Sequence, residues 1–167
     1  MTNNDVFRRL RYTFNLSDSQ VISIFKLTDM DVSRAQISDW LKSDEDPSFV
    51  ACNDIDFANF LNGFIVEKRG KKDGPAPIPE KRLSNNIIFT KLKIALNLRA
   101  EDVLEILQMS DFRMSKHELS ALFRKPDHKH FRKCKDQILR NFLKGLQIKH
   151  RDETQSDAKQ SEDLAND

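Results

Sequence analysis

Two cysteines and a pair of histidines are the side chains of this chain best suited by type to do chemistry. His128-x-His130 lies just upstream of Cys134, which brings three metal-ligating residues close together in sequence. Structural zinc takes four such ligands in a tetrahedron, and no fourth is spaced to complete the set. Cys52 and Cys134 each stand two residues before an Asp at one recurring position, and are expected to be buried structural thiols rather than nucleophiles. The sequence contains no P-loop, GxSxG elbow, HExxH pair or dinucleotide fingerprint. No catalytic residue, metal or cofactor is therefore assigned, and the balance leans away from an enzyme. Charge is the stronger signal. Arg124, Lys125, Lys129, Arg132, Lys133 and Lys135 face Asp127 alone, and His128 and His130 add charge as pH falls towards about 6.5. Such a run attracts phosphate backbones through a salt-sensitive field. Its simpler reading is a solvated loop, or a surface that docks on acidic groups.

The elements that must position these residues occur twice. Shifted by 82 residues, the chain matches itself without a gap. Asn4 meets Asn86, Phe7 meets Phe89, Asn15-Leu16 meets Asn97-Leu98, Asp29 meets Asp111 and Cys52 meets Cys134. Asn59-Phe60-Leu61-x-Gly63 meets Asn141-Phe142-Leu143-x-Gly145. Of the 62 positions from Asn3 to Phe64, 18 are identical, where chance gives about one in seventeen. Each copy has apolar residues at the period of four successive helices. Asn4 and Asn86 are expected to cap the first helix, and Asn15 and Asn97 to end it in the left-handed conformation. Ser17-x-x-Gln20, Ser33-x-x-Gln36 and Ser115-x-x-Glu118 fit capping boxes, while Glu101 and Asp102 suit the positive end of the helix that Arg99 precedes. The fourth helix is expected to start near Asp54 and Asp136.

The third helix of each copy has a second possible role. Val32 to Leu41 resembles the reading helix of a helix-turn-helix, with Ile37 and Trp40 as anchors. In the second copy Lys116, His117 and Ser120 occupy the outward positions. Against this stand a long connection without glycine from Leu27 to Asp31, and Asp39 on the face that would meet phosphates. In the fourth helix, Gly63 and Gly145 each cost up to about 1 kcal/mol relative to Ala, which implies a closely passing helix. With Asn59 and Asn141 one turn earlier on the same face, they are expected to mark the seam between the copies, as scaffold or as a polar ligand site.

The 167 residues carry 28 Lys+Arg and 26 Asp+Glu, for a net charge of +2. Mean hydropathy is −0.61, and no run approaches the roughly 20 apolar residues of a membrane span. The start, MTNND, carries no secretory pattern. Two cysteines suit a reducing compartment and cannot frame a disulfide-rich fold. With 4 Gly and 5 Pro there is little material for an all-β fold. Four segments follow: a first helical repeat, 1–70, at −3; a Pro/Lys-rich linker, 71–84, at +2; a basic second repeat, 85–151, at +8; and an acidic tail, 152–167, at −5. The tail has Leu164 alone to bury and is expected to be disordered, screening the basic repeat when no partner is bound. A copy of about 65 residues is marginal alone, so the two should pack as one compact all-α unit about a pseudo-twofold axis.

Four segments carry a resemblance: Phe60 to Gly70, Arg82 to Asn86, Arg124 to Lys129, and Phe142 to Leu146. They resemble the YehS-like family of small bacterial proteins, whose domain is described as of unknown function. The resemblance extends to about Arg151 and includes the duplication. It implies a two-repeat helical fold in a bacterial cytoplasm and carries over no functional residue. Taken together, the residues point to a non-enzymatic cytoplasmic binding module. Its second repeat would contact nucleic acid or an acidic protein, without a cofactor and without a membrane. The alternatives are a small-molecule or enzyme-like site in the cleft between repeats, and a protein-interaction adaptor.

Overall fold

The computed structural model describes residues 1–166. Eight α-helices, and no strand among the described residues, follow in order: α1 (Asn3–Thr13), α2 (Asp18–Lys26), α3 (Arg34–Leu41), α4 (Asp54–Arg69), α5 (Asn85–Ala95), α6 (Ala100–Met109), α7 (Lys116–Leu122) and α8 (Asp136–Ala165). The capping boxes at Ser17, Ser33 and Ser115 form, each hydroxyl accepting from the amide three residues on. At α6, the Asp102 carboxylate accepts from the Arg99 amide. Asn15 and Asn97 end α1 and α5 at φ 50° and 53°, and Asp29 and Asp111 take φ 57° and 60° in the turns after α2 and α6. Short polar side chains tolerate that left-handed region best after glycine.

The caps of α1 and α5 correct the sequence reading. Thr2 and Ser84 are the N-caps, accepting from the Asp5 and Ile87 amides. Asn4 and Asn86 lie inside the first turn with their amides turned inward, 2% and 6% exposed. The cap is filled two residues earlier, which leaves each asparagine to hold a distant loop.

Phe7 is the centre of the first repeat, with Phe25, Trp40, Phe57 and Phe60 around it at ring-centroid distances of 4.6 to 6.4 Å. Phe89 takes its place in the second repeat, against Phe142 and Phe123 at 4.4 and 5.0 Å. The buried residues of both repeats form one continuous cluster. The repeats join reciprocally, α4 against α5 and α8 against α1. Each fourth helix begins with an aspartate that ties the two together. Asp54 accepts from Asn3 of its own repeat and from the Leu83 amide at the entry to the other. Asp136 accepts likewise from Asn85 and from the Met1 amino nitrogen.

Gly63 and Gly145 do mark a close helix crossing, but not the seam. A Cβ on Gly63 would lie 2.1 Å from the Ile24 carbonyl oxygen, and one on Gly145 2.0 Å from that of Ile106. The passing helix is thus α2 or α6 of the same repeat. Asn141 donates within its own helix to Gln137, and the Asn59 carbonyl accepts a long 3.4 Å bond from Thr28. No amide bridges the repeats at these positions.

The expected disordered tail is also replaced. α8 continues through it to Ala165, exposed along the whole stretch from Arg151. Extending a helix already nucleated needs only propagation, and the Glu, Gln, Lys and Ala of this stretch propagate well. Helix geometry puts Asp152 roughly 24 Å along the axis from Asp136. That is several Debye lengths at physiological salt, about 8 Å each, and no tail carboxylate pairs with the basic loop among the described residues. Screening of that loop by the tail is not supported.

Candidate nucleic-acid interface

The basic run forms the loop between α7 and α8, and its frame is built by Asn86. The Asn86 side-chain nitrogen donates to the carbonyls of Leu122 at 2.9 Å and Arg132 at 2.8 Å, and its oxygen accepts from the Cys134 amide at 2.9 Å. The Arg132 amide closes the loop on the Ala121 carbonyl. Between these anchors, turns from Lys125 to His128 and from His128 to Phe131 fold the chain back, and the His128 ring accepts from the His130 amide. Asn4 does the same for the loop between α3 and α4, with Trp40, Val50 and Cys52 as partners at 2.8 to 3.0 Å. The two loops therefore share one backbone frame.

On that frame the charges are opposite. The first loop presents Asp44, Glu45 and Asp46, with Asp44 paired to Arg8 at 3.0 Å. The second presents Arg124, Lys125, Lys129, Arg132, Lys133 and Lys135, all exposed, and none has a carboxylate within ion-pair distance among the described residues. Thr90 stands where the first repeat has Arg8. Glu118 of α7 is a carboxylate within reach of the loop's field. Hydrogen bonds from the Ser115 amide and hydroxyl hold it below its usual range, with Arg132 and His117 adding to the effect. His128 and His130 are exposed, their ring centroids 5.5 Å apart.

The structure separates Lys116 from this set. Its ammonium pairs with Glu101 of α6 at 2.9 Å, just as Arg34 reaches back from α3 to Ser19. Both are straps between the second and third helices. Asp39 is likewise paired, to Lys42 at 2.8 Å. The polar side chains that a reading helix would present are thus partly engaged inside the repeat, and α7 has only seven residues.

Cys134 does not turn towards the histidines. It is 1% exposed, and burial pushes its thiol up to about 11, with the Asp136 charge adding and a backbone hydrogen bond from Leu139 opposing. Cys52 is 4% exposed and is pushed up to about 12 by burial and by the charges of Asp56 and Asp54. Both are protonated core residues at neutral pH. Among the described residues no three His, Cys, Asp or Glu side chains are grouped to hold a metal ion, and no helix is long and apolar enough to cross a membrane.

One polar cluster gave no sequence signal. At the α4–α5 seam, the Lys91 ammonium sits 2.6 Å from the Asn62 oxygen and 2.9 Å from a Glu80 carboxylate oxygen. Glu80 comes from the linker, which the charge count treats as a spacer. The equivalent positions in the other copy are Arg9 and Lys144, so the repeat could not reveal it. The asparagine clamps were legible in principle, since both copies keep them.

These two frames recur in known sequences. The profile of a family described as "Protein of unknown function (DUF1456)" matches residues 3–70 and again 85–152. The chain belongs to this family. Within it, the chain is similar to the "Uncharacterized protein YehS" of Escherichia coli (strain K12), 44% identical over 147 residues that cover 87% of this chain and 94% of the relative. No solved structure matches. The two family segments begin at Asn3 and Asn85, the asparagines that bond Asp54 and Asp136.

Proposed function

We propose that this DUF1456 protein is a non-enzymatic binding module of the bacterial cytoplasm, whose α7–α8 loop grips a polyanion, nucleic acid first among them. One observation carries the reading. Six Lys and Arg side chains without carboxylate partners among the described residues stand on a loop whose backbone is held by Asn86. A loop whose backbone is already held has less freedom to lose on meeting phosphates, which favours affinity. The counterions released on binding make affinity salt-dependent. Two protonated, buried thiols fit a reducing compartment.

The test is fluorescence anisotropy of labelled duplex DNA, single-stranded DNA and RNA across a range of salt concentrations. Binding at low salt is expected. Changing Arg132, Lys133 and Lys135 to Ala should lower the salt slope by up to about 0.9 for each duplex phosphate that the variant no longer neutralises. An unchanged slope refutes the assignment to this loop. No detectable binding at low salt refutes nucleic acid as partner and leaves an acidic protein to be sought by the same triple variant.

A further inference from the structure

We infer that the cleft between α1 and the distal half of α8 is a second binding site, for a nucleoside phosphate. The open cleft has a volume of about 1220 Å³, against about 440 Å³ for each of two other recesses. One wall is the C-terminal half of α1 and the turn into α2. The other is α8 from His150 to Gln155, so the two repeats build the cleft together.

Its chemistry has one sign. Arg8, Arg11, His150 and Arg151 line it, and no carboxylate does among the described residues. Arg8 is held by Asp5 and Asp44, and Arg11 by Asp18 and the Leu16 carbonyl. Arg151 has no carboxylate partner among the described residues. Its guanidinium lies over the Tyr12 ring at 4.3 Å. Tyr12, the one tyrosine of the chain, is 57% exposed. With the guanidinium covering one face of the ring, a flat base can stack on the outer side of the Tyr12–Arg151 pair while the guanidinium N–H groups meet its phosphate. Gln20, also in the lining, holds the Ser17 amide through its side-chain oxygen at 2.7 Å and keeps its amide N–H groups to donate to a base edge.

The duplication argues that this is not scaffold. The residues that hold the fold recur in both copies, as Asn4 and Asn86 or Gly63 and Gly145 do. Asn15 and Leu16 of the cleft recur as Asn97 and Leu98, but the side chains proposed to meet the base do not. Ile94 stands in place of Tyr12 and Asp102 in place of Gln20. α4, the counterpart of α8, stops at Arg69 and builds no such wall. The site lies roughly 20 Å along α8 from the basic loop by helix rise, so its ligand is independent of the polyanion reading.

The experiment is isothermal titration of the full chain with adenosine, guanosine and uridine monophosphates, with inorganic phosphate and a four-nucleotide single strand as further arms. At least one nucleotide should bind with a dissociation constant below about 1 mM, the range of a modest small-ligand site. R151Q and Y12L should each weaken it tenfold or more, and Y12F should keep it. Both altered side chains are at the surface, and circular dichroism checks the fold. The R132A/K133A/K135A variant should bind nucleotide unchanged, which separates this site from the loop. Failure of all three nucleotides to bind overturns the inference. So does binding that R151Q and Y12L leave intact. Equal affinity for inorganic phosphate overturns the recognition of the base. A strand that binds tenfold tighter than the free nucleotide, with the same dependence on Tyr12, assigns the nucleotide chemistry to a strand end.

Discussion

Replacing Asn86 with Ala tests how the basic loop is held. The side chain makes three hydrogen bonds of 2.8 to 2.9 Å to backbone groups of Leu122, Arg132 and Cys134. A net contribution near 1 kcal/mol each sums to about 3 kcal/mol. Part of that is the penalty of leaving the Cys134 amide and two carbonyls without partners in a site 6% exposed. For a domain of this size, about 3 kcal/mol lowers the melting temperature by about 6–12 °C. Urea denaturation and melting by circular dichroism read this directly. The duplication supplies a control, because Asn4→Ala removes the same three bonds from the acidic loop. Both variants should lose similar stability. Only Asn86→Ala should weaken polyanion binding, since it loosens the cations without removing any, and the salt slope should keep its value. A loss below about 1 kcal/mol refutes the clamp. Equal binding by the Asn86 and Asn4 variants, each measured while folded, refutes the link between loop order and affinity.

Four further outcomes are expected. Gly145→Ala places a carbon 2.0 Å from the Ile106 carbonyl oxygen and must part α6 from α8 by about 1 Å. It should cost about 2–3 kcal/mol in urea despite the better helix propensity of Ala, and a neutral result would show that the helices separate freely. Cys52 and Cys134 have raised pKa values, so their stabilising effect is complete below the ordinary thiol range near 9 and is lost as pH climbs through about 11 and 12; iodoacetamide should modify neither at pH 8 until urea unfolds the chain, and modification of the folded protein would place them at the surface. Glu80→Ala removes the anion beside a Lys91 side chain that is 13% exposed; as Glu80 itself is one-third exposed, about 1–2 kcal/mol is expected in denaturation, and no change would make the linker contact incidental. Exchanging residues 124–133 for the sequence of 42–51 should preserve the fold, because Asn86 contacts backbone alone, and should abolish polyanion binding measured by anisotropy; retained binding would move the interface elsewhere.

The helices were legible because three signals agreed: apolar period, capping boxes and the second copy. Ser33-x-x-Gln36 and Ser115-x-x-Glu118 could be located from spacing alone, and both boxes form. Asn4 was placed wrongly because its type suits a cap as well as an interior clamp. Thr2, two residues earlier, was the better-placed acceptor. The glycines showed that a helix passes close, but not which one, since spacing within α4 says nothing of what crosses it. The exposure of the basic loop followed from its composition. Its rigidity did not, because Asn86 lies far away in sequence. The cleft was invisible for a related reason: Tyr12 and Arg151 are 139 residues apart, and neither belongs to a recurring motif.

Duplication lets this chain separate what holds the fold from what the fold presents. Several of the residues that both copies keep have a structural task. Asn4 and Asn86 clamp loops, Gly63 and Gly145 admit a neighbouring helix, and Asp54 and Asp136 tie each repeat to the entry of the other. None of these tasks needs a ligand. Where the copies differ, the difference is largely one of surface: an acidic loop against a basic one, Tyr12 against Ile94, a helix that stops at Arg69 against one that runs on. A backbone frame fixed by buried asparagines tolerates reversal of the charges it carries, because each asparagine bonds backbone groups alone. The second loop was therefore free to gather cations while the first paired Asp44 with Arg8. If the loop and the cleft bind as proposed, specificity is carried by positions that break the repeat, among them the cations of the α7–α8 loop and Tyr12 of the α1–α8 cleft.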